Sequence, residues 1–196
     1  EPINVEKPDL NLIAGDIVDI NVKPLIRENV AEEFRRLEPP VYACLGNHEY
    51  YSGIHKALPF YKDAGINLLR DSVVTIGRLR IIGRDDRSNS RRKDLDDLMN
   101  GTADSLYTIL LDHQPYHLED AENHGIDFQF SGHTHRGQIW PASWITDCLF
   151  EDSWGEHRRG ATRYYVSSGI GIWGGKFRIG TRSEYVVATL RSVAAK

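Results

Sequence analysis

Four short runs dominated by apolar residues each stop at a loop that carries aspartate, asparagine or histidine: Leu10 to Ala14, Val41 to Leu45, Tyr107 to Leu111 and Asp127 to Phe130. Runs of this length, bounded by turn formers, read as buried strands. The loops that follow are Gly15-Asp16, Gly46-Asn47-His48-Glu49, Asp112-His113-Gln114-Pro115 and Ser131-Gly132-His133-Thr134-His135. Helical patterns lie between the strands. Pro24 opens one whose apolar positions Leu25, Ile26, Val30, Phe34 and Leu37 fall near one face, and Pro39-Pro40 ends it; a second covers about Ile54 to Ala64 and ends at Gly65. Val73 to Ile76 and Leu79 to Ile82 flank Gly77-Arg78 as a hairpin, and Tyr164 to Ser168 with Tyr185 to Leu190 completes the strand set. Strands alternating with helices predict a layered α/β domain. In such sheets ligands collect beyond the carboxyl ends of the strands, so the polar loops are distributed as a site requires.

Composition narrows the class. A chain of 196 residues is long enough to bury one sizeable core, and residues 1–196 are read as a single domain. The net charge of -4 argues against a role in coating nucleic acid, which calls for a basic surplus. Cys44 lies inside an apolar run and reads as a small buried hydrophobe. With Cys148 it makes only two cysteines, too few for a disulfide framework. No stretch has the length of apolar sequence that crosses a bilayer.

Asp16, Asn47, His113, His133 and His135 together offer carboxylate, amide oxygen and imidazole. That mixed oxygen and nitrogen set suits Mn, Fe or Zn better than Ca or Mg, which favour oxygen alone. His133 and His135 project alike if the chain is extended, and diverge if the loop is tight. Gly15, Gly46 and Gly132 precede three of the sites and permit turns that other residues resist.

In order and spacing, Gly15-Asp16-Ile17-Val18-Asp19, Gly46-Asn47-His48-Glu49, the lone His113 and Gly132-His133-Thr134-His135 resemble the G-D-x-x-D, G-N-H-D/E, H and G-H-x-H blocks of calcineurin-like metallophosphoesterases. The tail from Tyr165 to Glu184 is similar to that of the bacterial YkuE-like branch. The resemblance implies a four-layer αββα sandwich of two mixed sheets flanked by helices. It also implies hydrolysis of a phosphomonoester or phosphodiester at two divalent metal ions (Mn, Fe or Zn), through attack by a metal-bridging hydroxide. Asp16 would bridge both metals; Asn47, His113 and His133 would complete the second, and His135 would join Asp16 on the first. His48 would be the catalytic histidine that contacts phosphate and helps the leaving group depart, with Asp19 and Glu49 in support. The family's D-x-H block, on a strand before Gly15-Asp16, has no counterpart in residues 1–15, so two ligands of the first metal and one strand are expected upstream. Relatives in this branch often carry an amino-terminal membrane or export segment, which implies a bacterial, membrane-associated or exported setting. Rival expectations are a phosphoesterase-like scaffold without catalysis and a mononuclear metal-binding module.

Other segments carry two readings each. Gly83-Arg84-Asp85-Asp86-Arg87 reads as a groove lining with an arginine for phosphate, or as a solvated, charge-paired loop. Arg91-Arg92-Lys93 reads as a solvated surface run. The apolar stretch from Ile139 to Phe150 reads first as a helix buried beneath the site. Its second reading is a lid or membrane-facing ridge for a lipid-like substrate. Gly169 to Gly175 is expected beside the site. His55, His117, His124 and His157 are expected to be ordinary surface or core residues.

Overall fold

Alternation within each apolar run decides which layer a side chain joins. In β2 (Val41–Cys44), Val41 and Ala43 pack against helices, whereas Tyr42 and Cys44 pack against a second sheet. In β6 (Tyr107–Leu111), Ile109 and Leu111 meet that same inter-sheet core, while Leu110 turns to helices on the far side. Two sheets face to face with helices outside is therefore the arrangement that buries both faces of each strand. The computed structural model, which describes residues 2–101 and 105–191, has this four-layer order.

The smaller sheet runs β1 (Asn11–Ala14), β2, β3 (Asn67–Leu68), all parallel. The larger runs β4 (Ser72–Ile76), β5 (Leu79–Gly83), β6, β7 (Phe128–Ser131), β9 (Thr162–Val166), β8 (Gly155–Arg159). Its centre from β5 to β9 is parallel, and β4 and β8 close the edges antiparallel. The β4–β5 hairpin pairs Ile76 with Leu79 across Gly77-Arg78, as the sequence predicts.

Helices cover the outer faces. After the short α1 (Pro2–Val5), α2 (Lys23–Arg27), α3 (Val30–Arg35) and α5 (Ile54–Asp63) cover the smaller sheet, burying Ala31, Ala57 and Phe60. Between them, α4 (Asn47–Tyr51) begins within the second polar loop. On the other side, α6 (Leu95–Met99) and α7 (Leu118–Asn123) bury Leu95, Leu98 and Leu118 against the larger sheet. The single helix expected after Pro24 is two, because Asn29 takes a left-handed conformation (φ 51°) between α2 and α3, and asparagine tolerates that region better than most residues.

Two further expectations are corrected. Tyr185 to Leu190 has the alternation of a strand but pairs with no strand among the described residues, and Tyr185, Val187 and Leu190 stay exposed. An apolar alternation becomes a strand only where a sheet edge receives it. The helix expected from the Ile139 to Phe150 stretch forms as α8 (Ala142–Leu149), yet none of its residues is buried. It lies on the outside rather than beneath the site.

Gly83, at the end of β5, lies against Leu69, the residue that follows β3. A Cβ there would fall on the Leu69 side chain and 2.6 Å from its carbonyl oxygen. Backbone cannot yield as a flexible side chain can. Gly83→Ala is expected to lower stability by about 2 kcal/mol, read as a reduced urea midpoint at unchanged m-value.

Candidate metal centre

Parallel strands point their carboxyl ends one way, so the loops after β1, β2, β6 and β7 open on the same side of the molecule. Asp16 follows β1 at φ 55°, and Gly15 before it at φ 80°. At Gly15 a Cβ would sit 2.6 Å from the Gly46 amide, so only glycine lets the two loops touch. Gly46 is held equally close, with no room for a Cβ beside the Asp16 carboxylate. Gly132, by contrast, is not left-handed; the tight turn falls on His133 (φ 69°) and His135 (φ 49°) instead.

Glu49 explains how the two loops stay together. Its carboxylate, fully buried, accepts backbone N–H groups from Gly46 (2.8 Å), Asp16 (3.1 Å) and Val18 (2.9 Å). Burial and the Asp16 charge push its pKa up, against those amide hydrogen bonds. The bond to Gly46 caps α4 at its own N-terminus.

Four of the predicted donors then meet. Asp16 Oδ2 lies 2.9 Å from His113 Nε2, which lies 3.1 Å from Asn47 Oδ1, which lies 2.8 Å from His133 Nδ1. His113 is buried, and its Nδ1 donates to the Ala14 carbonyl oxygen at 2.5 Å, which turns Nε2 toward the cluster. A carboxylate, an amide oxygen and two imidazoles within hydrogen-bond reach of one another fit a divalent cation, with donor types suited to Mn, Fe or Zn. His135 stands outside that knot, its Nδ1 3.5 Å from the Arg178 guanidinium. The tight loop thus makes His133 and His135 diverge.

Charge sorts the imidazoles. Burial disfavours the His113 cation, but the Asp16 carboxylate outweighs it and raises the pKa to about 9. Burial also opposes ionisation of Asp16, yet His113, aided by the His48 backbone amide, brings that carboxyl to about 2. His133 falls to about 4, from burial and then the His113 charge; His135 falls to about 4, from burial and then Arg178. Without metal, Asp16 and His113 therefore form a buried ion pair beside two neutral imidazoles.

His48 begins the other half of the site. Its backbone N–H donates to Asp16 Oδ1 (2.9 Å), and its ring Nδ1 meets Asp19 Oδ1 at 2.7 Å. Asp19, the second aspartate of G-D-x-x-D, thereby engages Nδ1 of a mostly shielded ring, and Nε2 is the nitrogen it leaves unengaged.

Beneath the site lies a charged network whose burial the sequence did not reveal. Arg84, Asp85 and Asp86 are buried and Arg87 is exposed, so the loop after β5 is charge-paired and enclosed at its start and solvated beyond it. Arg92, expected at the surface, donates to both oxygens of buried Asp112 (3.1 and 2.7 Å), and Arg84 reaches the same carboxylate at 3.3 Å. Asp85 accepts from Tyr50, Arg70 and Asn89, and Asp86 from Gln114. A loop rich in both charges signals pairing in sequence; only packing shows that the pairs are enclosed. Arg178 is a further residue missed: it donates to the carbonyls of Ser168 (2.7 Å), Gly169 (3.2 Å) and Gly171 (2.5 Å), fastening the 169–175 loop beside His135.

Against known proteins, the Calcineurin-like phosphoesterase family model matches residues 1–137. A metallophosphoesterase of Helicobacter pylori is 34% identical over 97% of this chain and 53% of its own length. YkuE of Bacillus subtilis, named as a metallophosphoesterase, is 30% identical over 97% of the chain and 70% of its own. A Danio rerio protein named as a transmembrane protein with a metallophosphoesterase domain is 29% identical over 96% of the chain and 47% of its own. No solved structure matches. The chain belongs to the calcineurin-like metallophosphoesterase family. It spans about half the length of the Helicobacter and Danio relatives. The family implies divalent metal binding and a phosphate-ester substrate.

Two predictions follow from the donor cluster. Ligation of a metal by His113 would need its neutral form, and a pKa raised to about 9 favours the protonated ring at pH 7, so binding through it would release a proton. Calorimetry of Zn2+ or Mn2+ binding in buffers of different ionisation enthalpy should read about one proton released, with affinity rising about tenfold per pH unit toward 9. Glu49→Ala orphans three amides and should cost about 3 kcal/mol by denaturant unfolding, with Glu49→Gln losing less because one acceptor oxygen remains.

Proposed function

We propose that this protein hydrolyses a phosphomonoester or phosphodiester with the help of two divalent cations drawn from Mn, Fe and Zn. One observation carries the reading: loops from four parallel strands bring Asp16, Asn47, His113 and His133 into a single chain of contacts no longer than 3.1 Å. Paired cations, when bound, make a water nucleophilic at neutral pH and neutralise phosphoryl oxygens. Asn47, His113 and His133 would hold one, Asp16 would be shared, and His135 would join it on the other.

The remaining chemistry belongs to this chain's own side chains. His48 is suited to place a proton, or a positive charge, on the departing alkoxide oxygen, because its backbone is bonded to Asp16 and its imidazole can donate through nitrogen. Asp19 fixes the ring through Nδ1, so that Nε2 is the atom offered to the leaving group. The backbone bond from His48 to Asp16 fixes the distance between leaving-group and metal chemistry. Asp16 and His135 are the ligands proposed for the first cation. The mononuclear alternative draws on the placement of His135, apart from the four-donor knot. A metal count of one ion per chain in the full-length protein would favour it.

A membrane-associated or exported setting is part of the same proposal, supported by the name of the Danio relative. No helix among the described residues is long and apolar enough to cross a membrane.

Turnover of an aryl phosphate by full-length protein loaded with Mn, Fe or Zn is the direct test. His48→Ala should lower kcat about 100-fold or more with metal content unchanged. Asp19→Asn should lower it roughly tenfold by freeing the ring. Absence of metal-dependent turnover, or a His48→Ala rate equal to the parent's, would point to an inert scaffold.

A further inference from the structure

All four tryptophans of the chain fall between residues 140 and 173, and all are exposed: Trp140 by 56%, Trp144 by 64%, Trp154 by 38% and Trp173 by 51%. A soluble surface rarely gathers large apolar side chains in one place without a use for them. These are joined by short contacts. Trp140 and Trp144 stack edge to face with ring centroids 5.8 Å apart. The Trp140 amide donates to the Ile179 carbonyl at 2.8 Å, lashing the start of α8 to the loop after β9. The Gln138 side chain, buried, donates to the Trp173 carbonyl (2.7 Å) and accepts its amide (2.9 Å). Trp154 lies under the Arg136 guanidinium, 3.7 Å from its ring centre. The result is a preformed ridge, extended by exposed Ile145, Leu149 and Phe177.

Its charge differs from that of the rest of the molecule. Residues 169–182 carry Lys176, Arg178 and Arg182 and no acid, in a protein whose net charge is -4. Asp147, the acid on α8, accepts the Ser153 hydroxyl. The ridge also borders the metal centre: Phe150 at its inner end packs 6.0 Å from the His133 ring. Indole, apolar in body and polar at its N–H, partitions to the boundary between acyl chains and headgroups, and adjacent cations are drawn to anionic lipid.

We propose that this ridge docks on the surface of an anionic phospholipid membrane, with the mouth of the metal centre held at the headgroup level. Aliphatic and indole side chains from α8 and the 169–180 loop enter the interface, and Lys176 and Arg182, both exposed, meet lipid phosphates. A second copy of the chain is the competing occupant, but a self-complementary contact would set the basic segment against apolar surface or its own like charge.

The test is vesicle binding, which requires neither metal nor turnover and so stands or falls apart from the phosphoesterase reading. Because Trp140, Trp144 and Trp173, three of the four tryptophans, lie on the ridge, intrinsic fluorescence reports chiefly this face. The purified protein is expected to pellet with vesicles of phosphatidylglycerol in phosphatidylcholine, with a blue-shifted emission, and to bind pure phosphatidylcholine vesicles weakly. Trp144→Ala and the pair Lys176→Glu with Arg182→Glu should each reduce partitioning roughly tenfold, with far-ultraviolet circular dichroism unchanged. Added salt should weaken binding of the parent. Parent protein that stays in the supernatant with unshifted emission, or variants that bind as the parent does, would overturn the proposal. A dimer by analytical ultracentrifugation that Trp144→Ala dissociates, without vesicle binding, would assign the face to a second copy instead.

Discussion

Asp16 and His113 come from different sheets, and the contact between them is what the rest of the site is arranged around. Asp16 follows β1 of the smaller sheet and His113 follows β6 of the larger, yet their side chains meet at 2.9 Å, His113 buried and Asp16 largely so. Burying opposite charges is costly unless both are paired and their remaining valences satisfied. Here they are: His113 Nδ1 reaches the Ala14 carbonyl, and Asp16 Oδ1 accepts the His48 amide. The pair therefore ties both sheets at their carboxyl ends, and the His113 charge adds to the burial that lowers the His133 pKa.

That constraint accounts for backbone features that otherwise look unrelated. Asp16 is turned into the site by two successive left-handed residues, and the adjoining loop needs glycine at 46 because the carboxylate occupies the space of a Cβ. Left-handed conformations at non-glycine positions cost free energy and persist where surrounding structure over-determines them. Glu49 supplies that determination by accepting three amides from the two loops. On the other sheet, Asp112 held by Arg84 and Arg92 anchors the residue immediately before His113. The donor cluster is braced on this inner side and bordered on its outer side by an exposed aromatic ridge, which it meets at Phe150 and Arg178.

Much of this was legible in the chain itself. The strands ending in Asp16, Asn47, His113 and His133 could be read because buried parallel strands leave continuous apolar runs, and the polar residues that interrupt them have few other places to lie. The hairpin at Gly77-Arg78 was equally plain, since its signal is local. The break at Asn29 was hidden, because one left-handed residue leaves the apolar periodicity of its flanks nearly intact. The partial burial of Arg92 was hidden too: Arg91 and Lys93 stay exposed, but the middle residue of the triplet turns in to pair with an acid 20 residues away.

Sequence alone determined the inventory: which donors exist, that each follows an apolar run, and that glycine stands where loops must touch. These are properties of neighbours along the chain, and hydrophobic periodicity with turn chemistry records them. Tertiary structure decided which donors share a point and which segments stay outside. His135 parts from His133 because left-handed backbone at both, on either side of a right-handed Thr134, swings it toward Arg178, and none of the residues of α8 finds a buried position. Both outcomes depend on surfaces assembled from residues far apart in sequence, and no local pattern carries that information.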